Sequence, residues 1–235
     1  MKIRLDKYLC DMQVGSRSQV KDAIKKGKVL LNQNVCKAND TKIDPAIDLV
    51  FYDGKELVYQ TLYYYMLHKP AGLVTATTDK KEPTVMDALR DLPGKNLAPV
   101  GRLDKDTEGL LLLTNDGEMA HALLAPKKHV PKTYYVLLEK SLQDVDIRRL
   151  EEGIDIGDAK PCLPAKVKAI GALEIELTIC EGRFHQVKRM MEKVDNKVCY
   201  LKRISFGPLV LDEKLEKGSY RPLTEKEIEA LKNRA

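Results

Sequence analysis

Leu5, Tyr8, Leu9 and Met12 recur at i, i+3, i+4 and i+7, the spacing of one apolar helix face, and predict a helix over residues 4–13. Gly15 breaks it, and Ser16 caps a second helix whose inner positions are Val20, Ala23 and Ile24. Gly27 ends that helix. Lys28–Leu31 then reads as a strand, Asn32-Gln33-Asn34 as a turn into a second short strand, and Leu49–Tyr52 as a third, closed by Asp53-Gly54. Residues 53–63, DGKELVYQTLY, follow no clear period and read as a linker. A unit of about 55 residues is small for an independent core but feasible.

Beyond the linker the period changes. Candidate strands are Tyr63–His68, Leu110–Thr114, Thr133–Glu139, Ala165–Ile170, Glu174–Cys180 and Val198–Ser205, and candidate helices are 84–90, 117–124, 142–152, 184–194 and 225–233. Neighbouring strands without helices between them argue against a βαβ series and predict an α+β fold with a mostly antiparallel mixed sheet. The expected organisation is a small domain over 1–58 followed by a larger one over 62–235, within the reach of a 235-residue chain.

Composition narrows the setting. No apolar run approaches the roughly 18 residues of a membrane span, and the start MKIRLDKYLCDM lacks the apolar stretch of a signal peptide. A cytoplasmic protein with no membrane partner is expected. Five cysteines, an odd number with no CxxC pair, fit neither a disulfide framework nor a structural zinc site, and the four histidines lack HExxH-type spacing. No metal is expected. The net charge of +5 is mild, but its distribution is uneven: residues 1–42 hold ten Lys/Arg against four Asp/Glu, and Arg183 to Arg203 holds seven Lys/Arg. Two basic patches suit a polyanionic partner.

In the first unit the outward cations are Arg4, Lys7, Arg17, Lys21, Lys25, Lys26 and Lys28. The pattern RLDKYL…SRSQVKDAIKKGKVLLNQ resembles the alpha-L RNA-binding motif first known from a small-subunit ribosomal protein, which implies phosphate contacts from the second helix and the loop after it. An ordinary solvated helix face is the alternative for any lone cluster of this kind.

The string Gly101-Arg102-Leu103-Asp104-Lys105-Asp106-Thr107-Glu108-Gly109, continued by LLLLTNDG to Gly117, sets an acid between two cations at the mouth of an apolar run. A carboxylate acting as a nucleophile needs fixed backbone, nearby cations and little water. Taken singly, Arg102 and Asp104 read more simply as solvated charges at a turn. As a whole, GRLDKDTEGLLLLTNDG resembles the catalytic motif of the RsuA-type small-subunit rRNA pseudouridine synthases, in which the aspartate of GRLD is the nucleophile. Lys132-Thr133-Tyr134 resembles that family's K-x-Y motif, and Gly182-Arg183-Phe184-His185-Gln186-Val187-Lys188-Arg189 its G-R-x-H-Q-[IV]-[KR]-R segment. His68-Lys69-Pro70-Ala71-Gly72 stands where the family often has N-K-P-x-G, a departure expected to keep the turn and change one polar contact.

The resemblance implies Asp104 as nucleophile, Tyr134 packing on the target base and Arg183 paired with Asp104. It further implies Arg102, His185, Gln186, Lys188 and Arg189 toward the RNA, His185 as a hydrogen-bonding support. Taken alone, Tyr134 is a core aromatic of a strand and Lys188 a solvated helix residue. Asp106 and Asp116 lie too close to Asp104 along one segment for a glycosidase-like opposed pair. The implied reaction is isomerisation of uridine to pseudouridine in 16S rRNA without a cofactor, by a monomer acting on ribosomal RNA within an assembling small subunit. The chain stops soon after RPLTEKEIEALKN, without the basic tail common in large-subunit relatives. The competing readings are the same reaction on 23S rRNA, a non-catalytic rRNA-binding assembly factor, and a nucleoside hydrolase.

Overall fold

Alternate residues of two adjoining strands enter opposite cores, and this fixes the larger half of the molecule. In a computed structural model, which describes residues 2–89 and 92–234, the chain divides into two compact units, Met1–Leu62 and Tyr63–Ala235. In the larger unit β7 (Tyr64–Lys69) and β9 (Glu108–Thr114) are buried along their whole lengths. Tyr65, Leu67, Leu111 and Leu113 join one apolar cluster; Tyr64, Met66, Leu110 and Leu112 join another on the opposite face. Each such side chain withdrawn from water contributes about 1.5–3 kcal/mol.

The remaining strands of this unit are β8 (Ala98–Val100), β10 (Lys132–Leu138), β11 (Lys166–Ala169), β12 (Glu174–Ile179), β13 (Val198–Phe206), β14 (Leu209–Val210) and β15 (Tyr220–Pro222). The sheet runs β11-β12-β10-β13-β9-β7-β15, with β14 paired to β13 and β8 to β9. Among the described strands of this sheet only β13 and β9 pair in parallel, at Glu108 and Gly109, so the sheet is mixed and mostly antiparallel. Gly109 permits that crossing, because a Cβ there would lie 2.2 Å from the Arg203 carbonyl oxygen. Helices α4 (Asp144–Glu152) and α5 (Gln186–Glu192) supply Leu150, Val187, Met190 and Met191 to the first cluster. The second is covered by Met119 and Leu123 of α3 (Gly117–Leu124) and Leu231 of α6 (Glu225–Lys232). Asp116 and Thr224 cap α3 and α6 through side-chain oxygens.

The N-terminal unit packs α1 (Leu5–Asp11) and α2 (Arg17–Lys25) with the short strands β1 (Ile3–Arg4), β2 (Val29–Leu31), β3 (Asn34–Val35), β4 (Lys42–Ile43), β5 (Val50–Tyr52) and β6 (Lys55–Leu57), around Leu5, Tyr8, Leu9, Val20, Ile24, Val29, Ile43 and Val50. Ser16 and Gln19 form a capping box on α2. Asn32 and Gln33, both at positive φ, turn Val29–Leu31 into Asn34–Val35.

Several elements depart from the periodicity. The segment read as a linker contains a strand, Lys55–Leu57, because Asp53 (φ 49°) and Gly54 (φ 80°) make a hairpin turn that folds it back on Val50–Tyr52. The helix expected over 84–90 is a bridge from Val74 to Thr84 and a single 3₁₀ turn at Asp87–Leu89, with residue 90 outside the described set. Among the described residues no helix is long and apolar enough to cross a membrane.

Candidate active site

Asp104 lies in the loop between β8 and β9, and the backbone of that loop is held at several points. Thr75 Oγ1 donates to the Leu103 carbonyl at 2.7 Å and accepts from the Leu103 N–H at 3.2 Å, seating Leu103 in the core. The Thr107 N–H donates to the Asp104 carbonyl at 3.1 Å, and the Gly72 N–H to the Lys105 carbonyl at 2.7 Å. Lys69 is fully buried; its Nζ lies 3.0 Å from the carbonyl oxygen of Pro70, 3.1 Å from that of Asp104, 3.3 Å from Lys105 and 2.9 Å from Thr107. Burial pushes the Lys69 ammonium down to about 8, against the opposing charges of Asp106, Glu108 and Asp104.

A second wall comes from the turn into α5. Gln186 accepts from the Arg183 N–H at 3.0 Å and donates to Glu181 at 2.7 Å, which leaves His185 in the left-handed region at φ 48°, ψ 33°. That conformation is uncommon outside glycine and marks a backbone held by its surroundings. Lys188 follows His185 by about one helical turn, so both project to the same side. Lys188 Nζ lies 3.3 Å from Asp104 Oδ2 and 2.7 and 2.9 Å from the two Asp106 oxygens, while His185 Nε2 lies 3.7 Å from Asp104 Oδ1. Burial alone would lower the Lys188 ammonium; the Asp106 hydrogen bond and the charges of Asp104 and Asp106 instead raise it above its ordinary value. Burial raises the Asp106 carboxyl, and the Lys188 hydrogen bond and charge outweigh it to leave it lowered. A pocket of about 430 Å³ opens here, lined by Ala71, Gly72, Asp104, Lys105, Asp106, His185 and Lys188, within the range of small-molecule sites.

The ion pair expected between Arg183 and Asp104 is not formed. Arg183 turns to Glu181 (3.0 Å), the carbonyls of Lys160 (2.5 Å) and Pro161 (2.7 Å) and Asp158 (3.4 Å), so its donors are spent on the 158–161 loop. Lys188 takes the place beside Asp104. The distinction is one of helix phase, and the i, i+3 spacing of His185 and Lys188 was the available signal. Gln186, expected to reach RNA, is buried and occupied by the turn. Arg189 binds Asp158 (2.6 Å) and the Ile156 and Phe184 carbonyls (2.7 and 3.1 Å), which neutralises it as a phosphate contact. Tyr134 is buried opposite Arg203 on β13 and is not among the pocket-lining residues. Arg102 is exposed. Among the described residues no group of three or more His, Cys, Asp or Glu has metal-holding geometry.

In the N-terminal unit all seven outward cations are exposed, but they are not equivalent. Arg4, Lys7, Lys26 and Lys28 face Asp6, Asp11, Asp22 and Asp53 within 4 Å. Arg17, Lys21 and Lys25 make no ion pair among the described residues and, at i, i+4 and i+8, form one stripe along α2.

Two family models match the chain: one described as RNA pseudouridylate synthase over residues 63–193, the other as S4 domain over 3–45. The chain belongs to the RNA pseudouridylate synthase family. Relatives run through nearly its whole length. The Uncharacterized RNA pseudouridine synthase YtzG of Bacillus subtilis (strain 168) is 44% identical over 97% of this chain and 98% of that one. The Ribosomal small subunit pseudouridine synthase A of Haemophilus influenzae is 40% identical over 97% of this chain and 99% of that one. A crystal structure of a pseudouridylate synthase superposes with a TM-score of 0.69 at 39% identity, over 97% of this chain and 99% of that one. An S4 domain followed by a pseudouridine synthase domain with a mostly antiparallel sheet is therefore the plan of this RNA-modifying isomerase.

Proposed function

We propose that this pseudouridine synthase isomerises a specific uridine of small-subunit ribosomal RNA, with Asp104 as its nucleophile, residues 1–58 as the RNA-binding domain and 62–235 as the catalytic domain. The observation that carries the reading is the Asp104 carboxylate at the pocket wall with the Lys188 ammonium 3.3 Å away. The relatives named for the small subunit favour that substrate. The bond between ribose C1′ and uracil N1 breaks, the base turns, and C1′ bonds to C5; the hydrogen lost from C5 is balanced by one gained at N1. No electrons are exchanged and no redox cofactor is needed. Asp104 acts at the sugar, by attack on the anomeric carbon or by removing a ribose proton to give a glycal. Lys188, 3.3 Å from Asp104 Oδ2, holds the carboxylate aimed, and the target uridine enters by leaving its stack, at a cost of a few kcal/mol that is least for an unpaired base. The protein acts as a cytoplasmic monomer on RNA within an assembling small subunit.

Site-mapped pseudouridine formation in small- and large-subunit rRNA, free and in precursor particles, tests the proposal. A single new pseudouridine in small-subunit rRNA supports it. A large-subunit site keeps the reaction and replaces the target, and no product on either RNA removes the catalytic reading.

Lys188→Met is expected to lower kcat by about 100-fold, the order of loss that follows misplacement of a reacting group. Lys188→Arg should recover part of it, whereas Arg183→Gln, which loosens the 158–161 loop without touching Asp104, should cost less. Equal losses in Lys188→Met and Arg183→Gln would remove Lys188 from this role. For the N-terminal domain, replacing Arg17, Lys21 and Lys25 together by Gln should flatten the log–log salt dependence of RNA binding by about 2 to 3, at roughly 0.7–0.9 per phosphate contact. The same triple change with the slope intact would locate the phosphate contacts elsewhere.

A further inference from the structure

Phe184 stands in water beside the pocket, with 71% of its surface exposed, and its ring stacks on that of His185 with centroids 3.8 Å apart and planes 18° from parallel. One exposed apolar side chain is ordinary on a protein surface. Three features set this one apart. His185, the inner ring, lines the pocket and reaches to 3.7 Å from the Asp104 carboxylate. The backbone beneath the two rings is fixed: His185 is left-handed, Arg189 Nη1 donates to the Phe184 carbonyl at 3.1 Å, and Arg183 is tied to Glu181 and the 158–161 loop. The two arginines that flank the segment have their charges matched by Asp158 and Glu181, so they hold the ledge rather than compete with it for phosphate.

We infer that Phe184 and His185 form a stacking platform for an unpaired nucleobase next to the target uridine. One face of the phenyl ring is covered by His185, and the other is open. A planar base laid on that open face would extend a stack that begins at the catalytic pocket. Every base has such a face, so the platform binds without strict sequence preference and holds the strand while the neighbouring uridine occupies the pocket. Phe184 is thus a positioning residue. It touches the substrate strand and leaves the bond-making steps to Asp104. This inference rests on the pocket being the site of an RNA-modifying reaction, as proposed above.

The test is a fluorescence titration of the full-length chain with a short unstructured RNA carrying one uridine flanked on each side by 2-aminopurine. Phe184→Ala and Phe184→Leu are expected to weaken binding about 5- to 150-fold, which is the roughly 1–3 kcal/mol of one base–aromatic stack at about 1.4 kcal/mol per tenfold. Both should abolish the quenching of one 2-aminopurine. Phe184→Tyr should retain affinity and quenching, because a planar ring is what the base requires. The salt slope should stay unchanged in all three, since no phosphate contact is removed. Affinity and quenching in Phe184→Ala within twofold of wild type would overturn the platform, as would equal retention by Leu and Tyr. The titration is read independently of turnover. A wild-type protein that makes no pseudouridine yet shows the Phe184-dependent quench defeats the reaction assigned to the pocket and keeps the platform.

Discussion

Asp104→Asn should abolish pseudouridine formation, a loss of about 10⁴-fold or more by comparison with other enzymes stripped of a nucleophile, while the protein melts within about 2 °C of wild type. The expectation of an intact fold comes from how the loop is built. Its conformation depends on backbone groups: the Asp104 carbonyl receives Lys69 Nζ and the Thr107 N–H, and the Leu103 carbonyl and N–H engage Thr75. The Asp104 carboxylate contributes to none of these. Its cation is not orphaned either, because Lys188 keeps both Asp106 oxygens within 2.9 Å. Asn preserves shape and volume and removes only the charge and basicity that act on the sugar. The assay is site-mapped product formation beside a thermal melt. More than a tenth of wild-type turnover in a folded Asp104→Asn protein would exclude Asp104 as the nucleophile.

The parts of this molecule that were legible in sequence are those governed by local rules. The strands expected at Tyr63–His68 and Leu110–Thr114 are found at Tyr64–Lys69 and Glu108–Thr114, and Gly117–Leu124 lies between a capping Asp116 and a helix-ending Pro126. What escaped was set by partners distant in sequence. Ala98–Val100 and Tyr220–Pro222 each contain a proline and three residues, and become strands only because β9 and β7 offer free edges. The same contrast holds at the site. Asp104 stood out because its charged neighbours and the apolar run after it are contiguous. Whether Arg183 or Lys188 would reach it depended on the phase of α5 and on a loop, 158–161, that captures Arg183 from more than twenty residues away. The role of Lys69 was hidden for a similar reason: its acceptors at Asp104, Lys105 and Thr107 lie some 35 residues on.

Lys69→Met should lower kcat by about 100-fold or more with a smaller effect on KM, and should also destabilise the fold. Met matches the length and apolar stem of Lys but removes the ammonium from all four carbonyls around its tip; those of Asp104 and Lys105 keep the Thr107 and Gly72 N–H groups, so the loss falls mainly on those of Pro70 and Thr107. Each buried unsatisfied group costs about 1–3 kcal/mol, offset in part because a buried charge and its desolvation are removed as well. A net loss of a few kcal/mol is expected, with the Asp104–Thr107 turn opening and the carboxylate moving off its line to the sugar, where about 1 Å is worth roughly 100-fold. The pH dependence gives a sharper signature. The ammonium sits at about 8 in the fold against an ordinary 10.5, so between those values the unfolded chain holds more protons. This group's contribution to stability therefore rises as pH increases from about 8 to 10.5, and is lowest and constant below 8. Activity should run the other way, because the neutral amine offers two N–H donors to the ring of carbonyls where the ammonium offers three. Chemical unfolding and kcat measured from pH 7 to 10 should thus diverge in the wild type, and both trends should vanish in Lys69→Met. A Lys69→Met protein with wild-type kcat would show that the Asp104 loop keeps its shape without the ammonium beneath it.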